Sequence, residues 1–188
     1  MSLTFDAVKH EYQSSGRRVP SVTQLLGKLH SFAGIPEAIL KAACERGTAV
    51  HMACEFWDQG DLDESSVDPA IRGYFDAWRS FTEATKPQWT EIEKLGVHPL
   101  GYAGCWDRGG ILFGEEATVD IKTALQSHPV WAIQLAAYNM LRQKPTAKRY
   151  TVQLRKDGNY KVIPWTDPND WSVFVSLLTL HNFEQRNK

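Results

Sequence analysis

The sequence predicts a single α/β domain, a central β-sheet flanked by α-helices, and two patterns carry that prediction. Residues 89–123 fall into short runs rich in β-branched and aromatic residues, separated by glycine-marked connections, as hairpin-linked strands do. Around them, residues 37–57, 69–84, 129–142 and 167–183 repeat apolar side chains at helical spacing. At 188 residues the chain can bury one proper core and is short for two, so residues 1–188 read as one domain.

Taken in order, residues 5–12 read as extended and residues 14–18 as a turn returning through Val19. Ser21 with Gln24 three residues on forms a capping-box pattern, which starts a short helix to Leu26; residues 27–36 follow as a loop. A helix begins at Glu37, is interrupted or redirected at residues 45–48, and resumes over residues 49–57, apolar enough to be buried. Pro69 starts an amphipathic helix with Ile71, Tyr74, Phe75, Trp78 and Phe81 on its core face. Strands are expected at residues 89–98, 101–107, 110–113 and 117–123, paired antiparallel in a meander. Pro129 opens a helix to Arg142, and residues 147–155 and 160–165 pair as a hairpin around Asp157-Gly158, a strong two-residue turn signal. A last helix starts at Asp167-Pro168 and buries Trp171, Val175, Leu178 and Phe183.

Composition bounds the class of protein. With 43% hydrophobic and 23% charged residues the chain reads as soluble and globular, and the absence of a long apolar run or a leader pattern predicts a cytoplasmic protein with no membrane partner. Cys44, Cys54 and Cys105 are an odd number at no metal-finger spacing, so a disulfide framework, a zinc knuckle and an iron–sulfur cluster are not expected and buried thiols are. The net charge of −1 is unevenly spread. Residues 58–93 hold nine acids against three bases, whereas residues 142–161 hold seven bases against Asp157. Such a basic block can meet a phosphate backbone, or can be a solvated face.

Polar residues intrude on apolar elements at three places. In residues 117–123 the alternation of a strand puts Thr118, Asp120 and Lys122 on one face, and a carboxylate among small and β-branched neighbours calls for a cation. Taken alone, the pair serves equally as an ion pair on a solvated face. His51 and Glu55 share a helical face with Thr48 one turn before, and a buried hydrogen bond between them is the plain alternative to a site. Gln134 and Tyr138 repeat that spacing in the helix of residues 129–142. Asp107 ends a strand neighbouring the one with Asp120, within reach of a shared metal.

In this order the pieces resemble the PD-(D/E)XK nuclease superfamily, in its RecB-like and lambda-exonuclease-like branch. They are Arg46-Gly47-Thr48-Ala49-Val50-His51, Gly104-Cys105-Trp106-Asp107, Val119-Asp120-Ile121-Lys122-Thr123 and Gln134-Leu135-Ala136-Ala137-Tyr138. Glu11-Tyr12 and Pro20-Ser21-Val22-Thr23 are also similar to the opening of small phage-type members, and the likeness spans residues 5–165. Cys105-Trp106 before Asp107 departs from the smaller or aliphatic residues of the family pattern.

The resemblance implies a restriction-endonuclease-like core, with a central mixed β-sheet flanked by α-helices, and a metal-dependent deoxyribonuclease, an exonuclease before an endonuclease, working in phage or bacterial recombination and repair. By carry-over, His51, Asp107, Asp120 and the Ile121 carbonyl hold magnesium or manganese, and Lys122 acts on the water or the phosphoryl group. Gln134 and Tyr138 position the strand or Lys122, while Glu55 and Thr48 support His51 from behind. DNA ends or single strands are the implied partner. A homo-oligomer and a recombination partner protein are compatible with it, and Tyr102, Trp106 and Trp131 either stack bases or pack the core. The rival expectations are a catalytically silent DNA-binding or protein-interaction module of the same fold, and a hydrolase of small phosphorylated molecules.

Overall fold

The structure is a computed structural model that describes residues 3–6, 11–29 and 34–187. Residues 7–10 of the expected extended segment and residues 30–33 of the expected loop lie outside the described residues. At the start, β1 (Leu3–Asp6), β2 (Glu11–Ser14) and β3 (Arg17–Val19) form a small antiparallel sheet turning at Ser15-Gly16. The helix α1 (Val22–Leu26) follows with the predicted capping box: Ser21 Oγ accepts the Gln24 amide and Gln24 Oε1 accepts the Ser21 amide, both at 3.0 Å.

The main sheet has five strands in the order β4 (Gln88–His98), β5 (Tyr102–Leu112), β6 (Glu115–Lys122), β7 (Lys148–Leu154) and β8 (Tyr160–Trp165). All neighbours are antiparallel except β6 and β7, which run parallel and are joined through α4 (Val130–Leu141), so the sheet is mixed as expected. Against one face pack α2 (Glu37–Gln59) and α3 (Arg72–Thr85), burying Cys54, Phe75, Trp78 and Phe81 on Val119, Ile121, Val152 and Leu154. Against the other pack α1, α4 and α5 (Asp170–Arg186), burying Leu25, Trp131, Tyr138 and Phe174 around Tyr102 and Trp106. Among the described residues no helix is long and apolar enough to cross a membrane.

Five expectations are corrected. The helix α2 runs unbroken through residues 45–48, because one internal glycine costs only about 1 kcal/mol and the long run of helix formers before it, with Ala49 after Thr48, carries the helix across. It stops where Gly60 turns left-handed at φ 78° and the amides of Gly60 and Asp61 close on Trp57 and Phe56. Nor is its second half buried all round, since Met52 and Phe56 point outward and only Val50, Ala53 and Cys54 are enclosed. Residues 101–107 and 110–113 belong to one strand, β5. Gly109 and Gly110 are not turn residues: a Cβ there would lie 2.4 Å from the Arg142 guanidinium and 2.1 Å from the Gln88 carbonyl, so close approach, not chain reversal, demands glycine. In α5 the buried residues are Phe174, Leu177 and Leu178, while Phe183 is exposed; likewise Cys44 is an exposed thiol.

Candidate functional site

The site forms where two central strands part. Pairing between β5 and β6 runs from Leu112–Glu115 to Arg108–Val119 and stops there, while β6 stays on β7 as far as Lys122–Gln153. The Ile121 amide is thus left without a β5 partner, and Asp107 Oδ2 accepts it at 2.6 Å. Alternation along β6 sends Val119 and Ile121 into the core under α2 and α3, and Thr118, Asp120 and Lys122 to the face of α4. At the end of β6 one residue ties the two sides together, because the Ile121 carbonyl accepts from His51 Nε2 of α2 at 3.1 Å.

That bond fixes the imidazole. With a carbonyl on Nε2, Nδ1 is turned toward Asp107 Oδ1 and Glu93 Oε1, each at 3.7 Å. His51, Glu93 and Asp107 each offer a ligand atom within 4.8 Å of the others. Glu93 stands opposite Asp107 between the cross-strand pairs Ile92–Arg108 and Lys94–Trp106, and it holds a left-handed φ of 45°. Two like charges placed across a ladder repel, and an L-residue at positive φ costs roughly 1–2 kcal/mol; both are features that functional sites retain. Arg108, fully buried, answers part of the charge through Glu93 at 3.0 Å and Asp58 at 2.6 Å.

Asp120 is almost wholly buried and bonded to the Lys122 ammonium through Oδ1 at 3.0 Å. Its Oδ2 lies 2.8 Å from the same nitrogen but makes no hydrogen bond. Gln134 donates to the Tyr138 hydroxyl at 2.9 Å, both buried on α4. Lys122, Trp131 and Gln134 also line a cleft of about 590 Å³, with the ammonium 6.0 Å from the centroid of the Trp131 ring.

The predicted residues are therefore divided. His51, Asp107 and Ile121 come together, with Asp120 and Lys122 beside them on the same strand. The Ile121 carbonyl serves His51, which is the part expected of Glu55; Glu55 instead accepts from Gln59 at 3.2 Å, and Thr48 is exposed. Glu93 was not anticipated. The signal for it is the Glu91-Ile92-Glu93 alternation on the strand preceding Asp107, hidden inside an acidic block. Tyr102 and Trp106 are core residues, bonded to the Ala137 carbonyl and to Glu91. Of the basic block of residues 142–161 the three arginines are tied into the fold, while Lys144, Lys148, Lys156 and Lys161 are exposed. Arg142 is a buried ion-pair residue, Arg149 pairs with Asp170 at 2.7 Å, and Arg155 donates to the Leu125 carbonyl at 2.7 Å.

Burial and proximity shift the titrating groups. Burial alone disfavours a charged His51, but the Asp107 and Glu93 carboxylates outweigh it and lift the ring to about 9. Burial raises Asp120 to about 6 against the pull of Lys122, and raises Asp107 against the pull of His51. Burial also works against the Lys122 charge, yet Asp120 and Asp107 prevail and its pKa is raised. His51 therefore holds a proton in the folded chain that it lacks when unfolded between about pH 6.5 and 9. The stability it contributes is full below the unfolded value and is lost as pH rises through the folded one. In chelator, the melting temperature should fall from pH 7 to 9.5, and His51→Gln should flatten that slope (thermal denaturation at a series of pH values).

A divalent cation suits this donor set. Around an octahedral magnesium neighbouring ligand atoms sit about 3 Å apart and opposite ones about 4 Å apart, so the 3.7 Å separations would draw in by a few tenths of an ångström on binding. Asp120, buried and paired with Lys122 through both oxygens, is the next carboxylate along the same strand end.

No protein-family model matches the sequence, and no curated protein matches it. Among solved structures, one described as the crystal structure of SSO0001 is a distant likeness: 15% identical, TM-score 0.45, covering 84% of this chain and 71% of that one. At that level the likeness carries no argument about function.

Proposed function

We propose that the protein is a divalent-metal-dependent deoxyribonuclease of the PD-(D/E)XK superfamily, in its RecB-like and lambda-exonuclease-like branch, hydrolysing DNA phosphodiesters as an exonuclease. The observation that carries this is the meeting of His51, Glu93 and Asp107 from one helix and two strands beside the Asp120–Lys122 pair of a third strand. Magnesium or manganese would be held by His51, Glu93 and Asp107, with Asp120 joining them if its carboxylate turns from Lys122 toward the ion. When bound, such an ion supplies a nucleophilic water and neutralises charge on the phosphoryl oxygens.

The chain's own residues supply the rest. Ile121 orients His51 through its carbonyl and Asp107 through its amide, so one backbone unit positions two donors. Lys122 is held charged by Asp120 and Asp107, which favours stabilising a phosphoryl anion over removing a proton. Gln134 and Tyr138, bonded to each other, form a polar wall on the α4 side.

The test is degradation of linear DNA with the intact protein in magnesium or manganese, against the same reaction in chelator. Digestion that stops with chelator and returns with metal supports the reading; DNA that binds but is never cut under either metal leaves the catalytically silent module of the same fold. A role in recombination or repair, with or without self-association, belongs to the same proposal and is read from the ends the enzyme attacks.

A further inference from the structure

Arg108 stands next to Asp107 on β5 with its side chain wholly enclosed, a costly place for a guanidinium. It lies over the Trp78 ring of α3, 5.5 Å from the centroid. Its Nε donates to Asp58 Oδ2 at 2.6 Å, and its Nη1 donates to Glu93 Oε1 at 3.0 Å and to the Asp107 carbonyl at 2.7 Å. Among the described residues Nη2 has no hydrogen-bond partner. A buried ion pair is on balance no more stabilising than well-packed apolar residues of the same volume, so support of the sheet does not by itself call for an arginine here. What the guanidinium adds is a fixed direction for the Glu93 carboxylate.

The two acids of the cluster each turn one oxygen to His51 and have the other engaged elsewhere. Asp107 Oδ1 is 3.7 Å from His51 Nδ1, while Oδ2 accepts the Ile121 amide at 2.6 Å. Glu93 Oε1 is 3.7 Å from the same nitrogen, while Oε2 faces the Cys105 thiol at 3.8 Å. Arg108 takes one lone pair of Glu93 Oε1 and leaves the other for an ion. We infer that Arg108 sets which divalent ion the cluster accepts, by holding Glu93 to a single coordinating oxygen. The inference rests on the metal-dependent reading above. Magnesium takes six ligands at about 2.0–2.1 Å and is served by single oxygens; calcium takes six to eight at about 2.3–2.6 Å and gains where a carboxylate turns both oxygens to it. For Glu93 to do so it must swing off Nη1, which leaves the buried guanidinium with Asp58 as its one carboxylate partner. Asp58 anchors that guanidinium from behind, two turns along α2 from His51, so one helix supplies a donor and the brace that positions another.

The experiment titrates the intact protein, without DNA, with manganese, read as loss of the free-ion paramagnetic resonance signal, and then with calcium as competitor. In Arg108→Met the ratio of the calcium to the manganese dissociation constant should fall about tenfold. Asp58→Asn, which keeps an acceptor of the same shape but loosens the guanidinium, should move the ratio the same way by less. A merely structural role weakens both ions alike, and an unmoved ratio overturns the inference. Infrared difference spectra of the parent with and without magnesium need no variant that fails to fold. The carboxylate bands should be widely separated, as for single-oxygen ligation; closely spaced bands, as for two-oxygen chelation, overturn the inference too. If the ratio falls in the variants while the parent cuts no DNA in magnesium, the nuclease falls and the assignment of Arg108 stands. If DNA is cut and the ratio does not move, the assignment falls and the nuclease stands. If neither ion binds, both fall.

Discussion

Replacing Asp120 by alanine is expected to reduce metal-dependent DNA cleavage by at least about 10³-fold while DNA affinity measured in chelator stays near that of the parent. The carboxylate is buried, carries an oxygen without a hydrogen bond, and holds Lys122 in place, so its loss removes a donor and loosens the ammonium together. Phosphate contacts do not depend on an acid, and losing one relieves repulsion of the strand. Glu93→Gln is the sharper companion, because Glu93 belongs to none of the motif positions. It should lower cleavage on the order of 10²-fold or more and abolish the rise in melting temperature caused by magnesium. The metal-free melting temperature should hold or rise, since glutamine still offers Arg108 an acceptor while the like charge opposite Asp107 is gone. Cleavage at the parental rate in Glu93→Gln would mean that the cluster of His51, Glu93 and Asp107 is not the site.

The second large effect concerns stability. Arg142 is enclosed by Glu91 at 2.7 Å, Glu116 at 2.6 Å, the Ala117 carbonyl at 2.8 Å and the Thr118 hydroxyl at 2.6 Å. Its guanidinium lies over Gly109, so strands β4, β5 and β6 and helix α4 all lean on one side chain. Removing one partner of a buried charge network leaves the others uncompensated, which costs about 3–5 kcal/mol. Arg142→Met should therefore lower the unfolding free energy measured by urea denaturation by that amount. Arg142→Lys should recover little, because a single ammonium cannot reproduce a planar fork with five donors. A loss under about 1 kcal/mol would show that the network is incidental.

How far the sequence reaches is visible in these two sites. Asp120 and Lys122 are legible because alternation in a strand is strict, and His51 is legible because a polar residue in an apolar helix stands out. Glu93 is not, since a carboxylate in an acidic stretch carries no local mark; only its cross-strand position opposite Asp107 distinguishes it. Arg142 is misread for a related reason: it heads a run of bases, and nothing in the run says that the first lies beneath Gly109. Gly109 and Gly110 suggest a turn by composition, whereas their real constraint is the guanidinium and carbonyl pressed against them. The flanking helices, the capping box at Ser21 and the pairing of β7 with β8 depend on short-range patterning and are found as expected, whereas the turn is not the two-residue one expected at Asp157-Gly158: it closes from Arg155 to Gly158 and Asn159, with Gly158 left-handed.

The parallel junction of β6 with β7 has a kinetic consequence. Residues 51, 93, 107 and 120 are all synthesised before β7, yet the strand that carries Asp120 has its inner edge secured only after α4 has crossed over and β7 has zipped alongside. Contacts this distant in the chain form late, so during refolding the response to magnesium should emerge with the final cooperative phase and not with early helix formation.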